Sequence, residues 1–122
     1  MDESILTSIK KVLGVPEEYK HFDVDIIMHI NTVFATLHQL GMGLEEGFMI
    51  EDNTAVWSDY LPEDPRFNFV KTYIYQKVRL MFDPPASSSL LEALNKSIAE
   101  LEWRITVMVD TWNKEAEDYE NE

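Results

Sequence analysis

The feature that most constrains the fold of this chain is an apolar repeat near its carboxyl end. Spacings of three and four residues alternate through Leu91, Leu94, Ile98, Leu101, Ile105, Met108 and Trp112. Because an α-helix has about 3.6 residues per turn, this repeat places all its members along one side of a helix. Ser89-x-x-Glu92 forms a capping box at the start. The pattern therefore predicts a long carboxy-terminal helix from Ser89 to beyond Trp112.

Three shorter helices are predicted upstream, over about residues 3–13, 24–40 and 66–82, by apolar residues at helical spacing. Asp23 precedes the second of them and is a candidate N-cap, because its carboxylate can accept a hydrogen bond from a first-turn amide. Between the second and third helices, apolar triplets at 48–50 and 55–57 flank polar residues, which predicts a short β-hairpin. The expected fold is an all-α bundle of about four helices with a hairpin or loop inserted between helices two and three.

The 122 residues suit one compact domain rather than two. We expect a single helical domain over residues 1–112. Residues 113–122 form an acidic tail that would become ordered only when a partner binds.

The charge of the chain is strongly negative and unevenly distributed. The net charge is −13, and residues 21–65 contain nine acidic residues but no lysine or arginine. Residues 66–109, by contrast, carry six basic and four acidic residues, a net charge of +2. Such an acidic chain should repel a phosphate backbone, so specific nucleic-acid binding is not expected.

The residue content argues against catalysis. The chain has no cysteine, which excludes disulfides, thiolate metal sites and cysteine nucleophiles. No glycine-rich phosphate loop and no serine nucleophile elbow is present. The alternation of His21, Asp23 and Asp25 would suit a metal-dependent enzyme, but a polar loop followed by a helix cap explains it better. We therefore expect no enzyme, metal or cofactor. The first residues lack the basic start and apolar run of a signal peptide, so none is expected, and no apolar run in the sequence is long enough to cross a membrane.

The pattern predicts two groups of protein-contact residues. Trp103 lies off the apolar repeat, which leaves it either on a second packing face of the same domain or in a subunit contact. We expect the repeat up to Leu101 to pack inside the domain, and the segment from Ile105 through Met108 and Trp112 to pack against another chain. The predicted hairpin should project from the bundle and contact a neighbouring subunit through Phe48, Ile50 and Trp57.

Several stretches of the chain resemble a known family. They are Phe22 to Asn31, Gln39-Leu40-Gly41-x-Gly43, Gly47-Phe48-x-Ile50-x-Asp52 with Trp57, Val70 to Tyr75, Lys77 to Pro85, and Glu100 to Arg104. Together they resemble the head–tail connector, or head-completion adaptor, proteins of phages and prophages of Gram-positive bacteria. The resemblance covers about residues 5–110, and none of its motifs is catalytic.

This resemblance implies a structural role in the virion, at the head–tail junction, after assembly in the host cytoplasm. Such adaptors form a ring, twelvefold by resemblance, beneath the portal protein, which the long carboxy-terminal helix reaches. A neck or tail-completion protein docks below, and DNA passes through without specific binding. Glu45, Glu46, Glu51 and Asp52 would form an acidic surface of the channel, where repulsion lets DNA slide. The rival interpretation is an acidic inhibitor or DNA mimic that occupies a basic groove, and such a protein should be a monomer or dimer.

Overall fold

The computed structural model describes residues 3–120, with side chains described through residue 117. Four α-helices follow one another: α1 (Ile5–Leu13), α2 (Asp23–Gln39), α3 (Asn68–Phe82) and α4 (Ser88–Glu120). Two short 3-10 turns, Trp57–Asp59 and Pro65–Phe67, lie between α2 and α3. The predicted all-α bundle with a long carboxy-terminal helix is confirmed.

Helix α3 lies at the centre of the bundle. It packs against α2 on one side and α4 on the other, and α1 lies against both α2 and α3. The largest fully buried side chain is that of Tyr73 on α3, whose hydroxyl donates a hydrogen bond of 2.9 Å to the Glu102 carboxylate on α4. Burial and that acidic partner raise the pKa of the Tyr73 hydroxyl, so it remains a donor at neutral pH.

The β-hairpin predicted between helices two and three is absent from the described residues. The backbone there makes one isolated antiparallel bridge, between Ser4 and Val56, and otherwise forms a loop. The side-chain amide of Asn31 on α2 takes the place of a partner strand. It accepts from the Ile50 amide at 2.8 Å and donates to the Ile50 carbonyl at 2.9 Å, which satisfies both backbone groups.

The same loop packs onto the bundle instead of projecting from it. Ile50 and Trp57 are only 2% and 4% exposed and belong to the core of their own domain. The Trp57 indole N–H donates a 2.9 Å hydrogen bond to the Ser8 hydroxyl on α1. This bond satisfies the one polar group of the buried indole ring. The expectation that Ile50 and Trp57 contact a neighbouring subunit is therefore wrong for this folded chain. Phe48 is half-buried beside Phe34 and Tyr60.

The predicted N-cap role of Asp23 is also wrong. No side chain caps the start of α2, because the Asp23 carboxylate is turned toward the buried Lys10 ammonium at 2.8 Å. Lys10 also donates to the carbonyl oxygens of Glu17 and Tyr19, at 2.9 and 2.7 Å. The two carbonyl hydrogen bonds and the charge of the Asp23 carboxylate together allow the ammonium to be buried, and they fasten the α1–α2 connection to α1.

Helix α4 begins one residue earlier than predicted, and its cap lies two residues before the predicted one. The helix begins at Ser88, and the Ser87 hydroxyl accepts from the Leu90 amide at 3.4 Å. Ser87 therefore occupies the capping position that the sequence had assigned to Ser89. The connection from α3 is short, so α3 and α4 run antiparallel side by side.

A close approach between the end of α2 and α4 gives the first testable prediction. Gly41 has φ +91°, and a Cβ there would lie 2.8 Å from the Val109 Cγ1 atom. Gly41→Ala is expected to lower the free energy of unfolding by about 1–3 kcal/mol, from backbone strain plus this collision. Gly14→Ala is the control, since Gly14 has φ +78° with nothing within 4 Å of the added atom. Equal losses in urea denaturation of both variants would show that the Val109 contact contributes nothing.

Candidate interaction surface

The apolar repeat of α4 is buried along more of its length than the sequence indicated. Ile98, Ile105 and Val109 all lie in the core, whereas Leu91 and Leu94 near the start of the helix are only half-buried. Ile105 has no exposed surface, so the expectation that it packs against another chain is wrong.

Two contacts explain the burial of the second half of α4. The turn Pro65–Phe67 precedes α3 and brings the Phe67 ring against Trp112, with ring centroids 5.7 Å apart in an edge-to-face arrangement. The end of α2 meets Val109 at Gly41. These neighbours leave Met108 and Trp112 half-buried, so only part of each side chain remains available to a partner.

The apolar surface that remains open is a groove between the start of α3 and α4, which we call the tryptophan groove. Its volume is about 380 Å³, and it is lined by Pro65, Arg66, Phe69, Trp103, Arg104, Val107, Met108 and Trp112. Trp103 is 66% exposed and Val107 is 42% exposed. A tryptophan this open is unusual on a surface that serves solubility alone, and tryptophan is enriched in protein interfaces.

The helix geometry explains why these residues point outward. Trp103 follows Leu101 by two positions, or about 200° around the helix, so it faces away when Leu101 faces α3. Val107 lies one turn further on, on the same side as Trp103. Of the two options open for Trp103, its exposure excludes a second packing face within the described chain, and the subunit contact stays a prediction.

Sequence reasoning missed several members of the groove. Val107 had a usable signal, its position four residues after Trp103. Phe69 and Arg66 had none, because only the tertiary packing of α3 beside α4 brings them to Trp103.

Two arginines form the polar rim of the groove. The Arg66 guanidinium pairs with Asp64 at 2.8 Å, and the Arg104 guanidinium pairs with Glu100 at 3.1 Å. Hydrogen bonds from the Arg66 side chain and amide lower the pKa of the Asp64 carboxyl, and water around the exposed Arg66 screens their effect on stability. Asp64, and more weakly Glu115, in turn raise the pKa of Arg66.

The four acidic residues predicted to face DNA are all exposed, on the loop between α2 and α3. The loop is held in shape beside two of them: the His38 ring contacts the Glu45 carbonyl at 2.9 Å, and Asp52 accepts from the Thr54 amide and hydroxyl. The Thr54 hydroxyl and amide lower the pKa of the Asp52 carboxyl. Glu46 and Glu51 complete the set. That these four acidic residues face a DNA channel stays a prediction.

Among the side chains of residues 3–117, no three histidine or acidic groups are placed so that they could hold a metal ion. The trio His21, Asp23 and Asp25 is therefore not assembled as a site. None of the described helices has the length and apolar character required to span a bilayer.

The fold and this surface define a small helical bundle with an open aromatic groove suited to contact with another protein. The family model described as phage connector protein matches residues 5–111, and the chain belongs to that family. The resemblance indicated by the sequence motifs is thereby confirmed. No curated protein and no solved structure matches the chain. The chain is a structural connector protein of a phage, and its family implies contacts with other head and tail proteins.

Proposed function

We propose that this connector forms a ring below the portal at the head–tail junction of the virion. DNA passes through the ring, and a neck or tail-completion protein docks onto it. The observation that carries the proposal concerns α4. This helix is longer than the bundle requires, and its residues form one wall of the exposed tryptophan groove.

The length of α4 supports a contact with a second protein. Its 33 residues span about 50 Å, against about 22 Å for the 15 residues of α3 that cover it. Because Trp112 packs on Phe67 just before α3, the residues after Trp112 extend ~12 Å further. The described side chains of this overhang, residues 113–117, are exposed and add nothing to the core, but the overhang gives the portal a helix to bind.

The overhang includes the start of the acidic tail. Helix α4 continues to Glu120, and the described side chains of residues 113–117 are exposed. Residues 121 and 122 lie outside the described part of the chain. We propose that a partner with basic groups fixes the tail, since the carboxylates there have few cations of their own to pair with.

The proposed passage of DNA uses the acidic loop. Glu45, Glu46, Glu51 and Asp52 are exposed and stand in a region without lysine or arginine. If this loop faces the channel, the duplex meets like charge along its path and has no site at which to rest. DNA then moves past the ring without specific binding.

Electron microscopy of particles that carry a density label on this chain tests the proposal. We expect the label to lie in a ring directly below the portal, and we expect purified chain and portal protein to co-assemble with the mass of a ring. A label found elsewhere in the particle, or a chain that stays monomeric or dimeric with the portal while binding a basic protein, would contradict it. The second result would instead support the acidic inhibitor.

A further inference from the structure

The described surface carries a second exposed apolar patch, with a rim charge opposite to that of the tryptophan groove. Val24 and Met28 on α2 and Met49 on the following loop are each more than 60% exposed. We call these three residues the methionine patch. Exposed side chains of this size next to one another mark a contact surface.

Two observations place the three residues together. Val24 and Met28 are four positions apart on α2 and therefore lie on the same side of that helix. Asn31 follows Met28 by about one turn and holds both backbone groups of Ile50 by hydrogen bonds. Met49 is therefore held beside α2, and its side chain is open to solvent whereas that of the adjacent Ile50 is buried.

The rims of the two surfaces are complementary in charge. Asp25 on α2 is exposed next to Val24, and the whole methionine patch lies in a block of the sequence that has no lysine or arginine. Arg66 and Arg104 lie at the tryptophan groove. Both arginines already pair with carboxylates of their own chain, but these pairs are exposed and weak, and each guanidinium has donors left over.

We propose that the tryptophan groove of one copy of this chain receives the methionine patch of a second copy. Methionine is flexible and packs well against aromatic rings, so Met28 and Met49 suit a groove that contains Trp103. The carboxylates of one copy then approach the arginines of the other. This inference rests on the proposed function, because a ring requires a contact between two different surfaces of the subunit. Such a contact can repeat until the ring closes, whereas a contact of one surface with itself stops at a dimer.

Thiol cross-linking tests this arrangement directly, because the chain has no cysteine of its own. Val107→Cys places a thiol in the groove, and Met28→Cys places one in the patch. A short bifunctional thiol reagent applied to an equal mixture of the two single variants should yield mixed dimers. The double variant, which carries both thiols on each copy, should yield a ladder that ends at the mass of the ring.

The controls separate this proposal from its alternatives. Leu90→Cys puts a thiol on an exposed apolar position at the other end of α4, and paired with Met28→Cys it should give only background cross-linking. If Val107→Cys alone gives as many dimers as the mixture, the groove contacts itself and the proposal is overturned. If the Val107–Met28 pair never exceeds the Leu90 control, in concentrated solution and in assembled particles, the proposal is also overturned. A labelled ring below the portal would then still support the connector role.

Discussion

Replacing Ile105 by alanine is expected to lower the free energy of unfolding by about 2–5 kcal/mol, as for other large core truncations. Ile105 has no exposed surface and lies on α4 near the middle of the bundle. The substitution removes three carbon atoms from a closely packed region and leaves a cavity that the neighbouring helices cannot fill. Urea denaturation followed by circular dichroism measures the loss. The slope of the free energy of unfolding against urea concentration should stay unchanged if the variant still unfolds in one step.

Val107→Ala is the matched control for this prediction, since Val107 lies on the same helix and is 42% exposed. Its loss should stay within about 0.5 kcal/mol, because little buried surface disappears and alanine favours the helix. The comparison tests whether the second half of α4 belongs to the domain. Similar losses for the two variants would mean that this half of the helix is not packed as the structure has it.

The helices could be predicted because their information is local. The apolar repeat of α4 and the prolines near the ends of α1 and α3 fix these helical segments within a few residues. The cap of α2 was less predictable. Aspartate is a favoured N-cap residue, but the Asp23 carboxylate is also within reach of the Lys10 ammonium. The buried ammonium needs a carboxylate more than the helix end does, and that need depends on the folding of α1 against α2.

The loop between α2 and α3 could not be predicted from its own residues. Apolar triplets at 48–50 and 55–57, with polar residues between them, have the pattern of two short strands. The strand pairing is replaced by one side chain, that of Asn31, which lies 19 residues earlier on α2 and holds Ile50. A short pattern specifies which side chains turn inward, but it does not specify what the backbone bonds to.

The division of α4 into an inner and an outer part failed for a similar reason. The repeat identifies the buried side of the helix, but the neighbours decide how far along that side the burial extends. Phe67 and Gly41 reach the second half of α4, so Trp112 and Val109 are covered. The exposed groove then lies beside this buried side, between α4 and the start of α3, where Trp103 departs from the repeat.

Trp103→Glu is expected to weaken assembly severely while leaving the isolated domain folded. The side chain is 66% exposed, so its removal costs little buried surface, and glutamate is a good helix former. The free energy of unfolding should therefore change by less than about 1 kcal/mol. In an interface, by contrast, the loss of a central tryptophan costs about 2–4 kcal/mol, a roughly 30- to 1000-fold weaker dissociation constant. The introduced carboxylate would add to this loss by bringing like charge toward the acidic rim of the partner.

Leu90→Glu separates this effect from the mere addition of an acidic residue. Leu90 is also on α4, is 62% exposed and stands outside the tryptophan groove. Incorporation of each variant into particles, and the mass of the complex it forms with wild-type copies, measure the two effects side by side. The groove is an interface if Trp103→Glu copies are excluded and Leu90→Glu copies are accepted. Normal incorporation of Trp103→Glu copies would mean that this exposed tryptophan contributes no binding energy, and that the ring must be held by another surface.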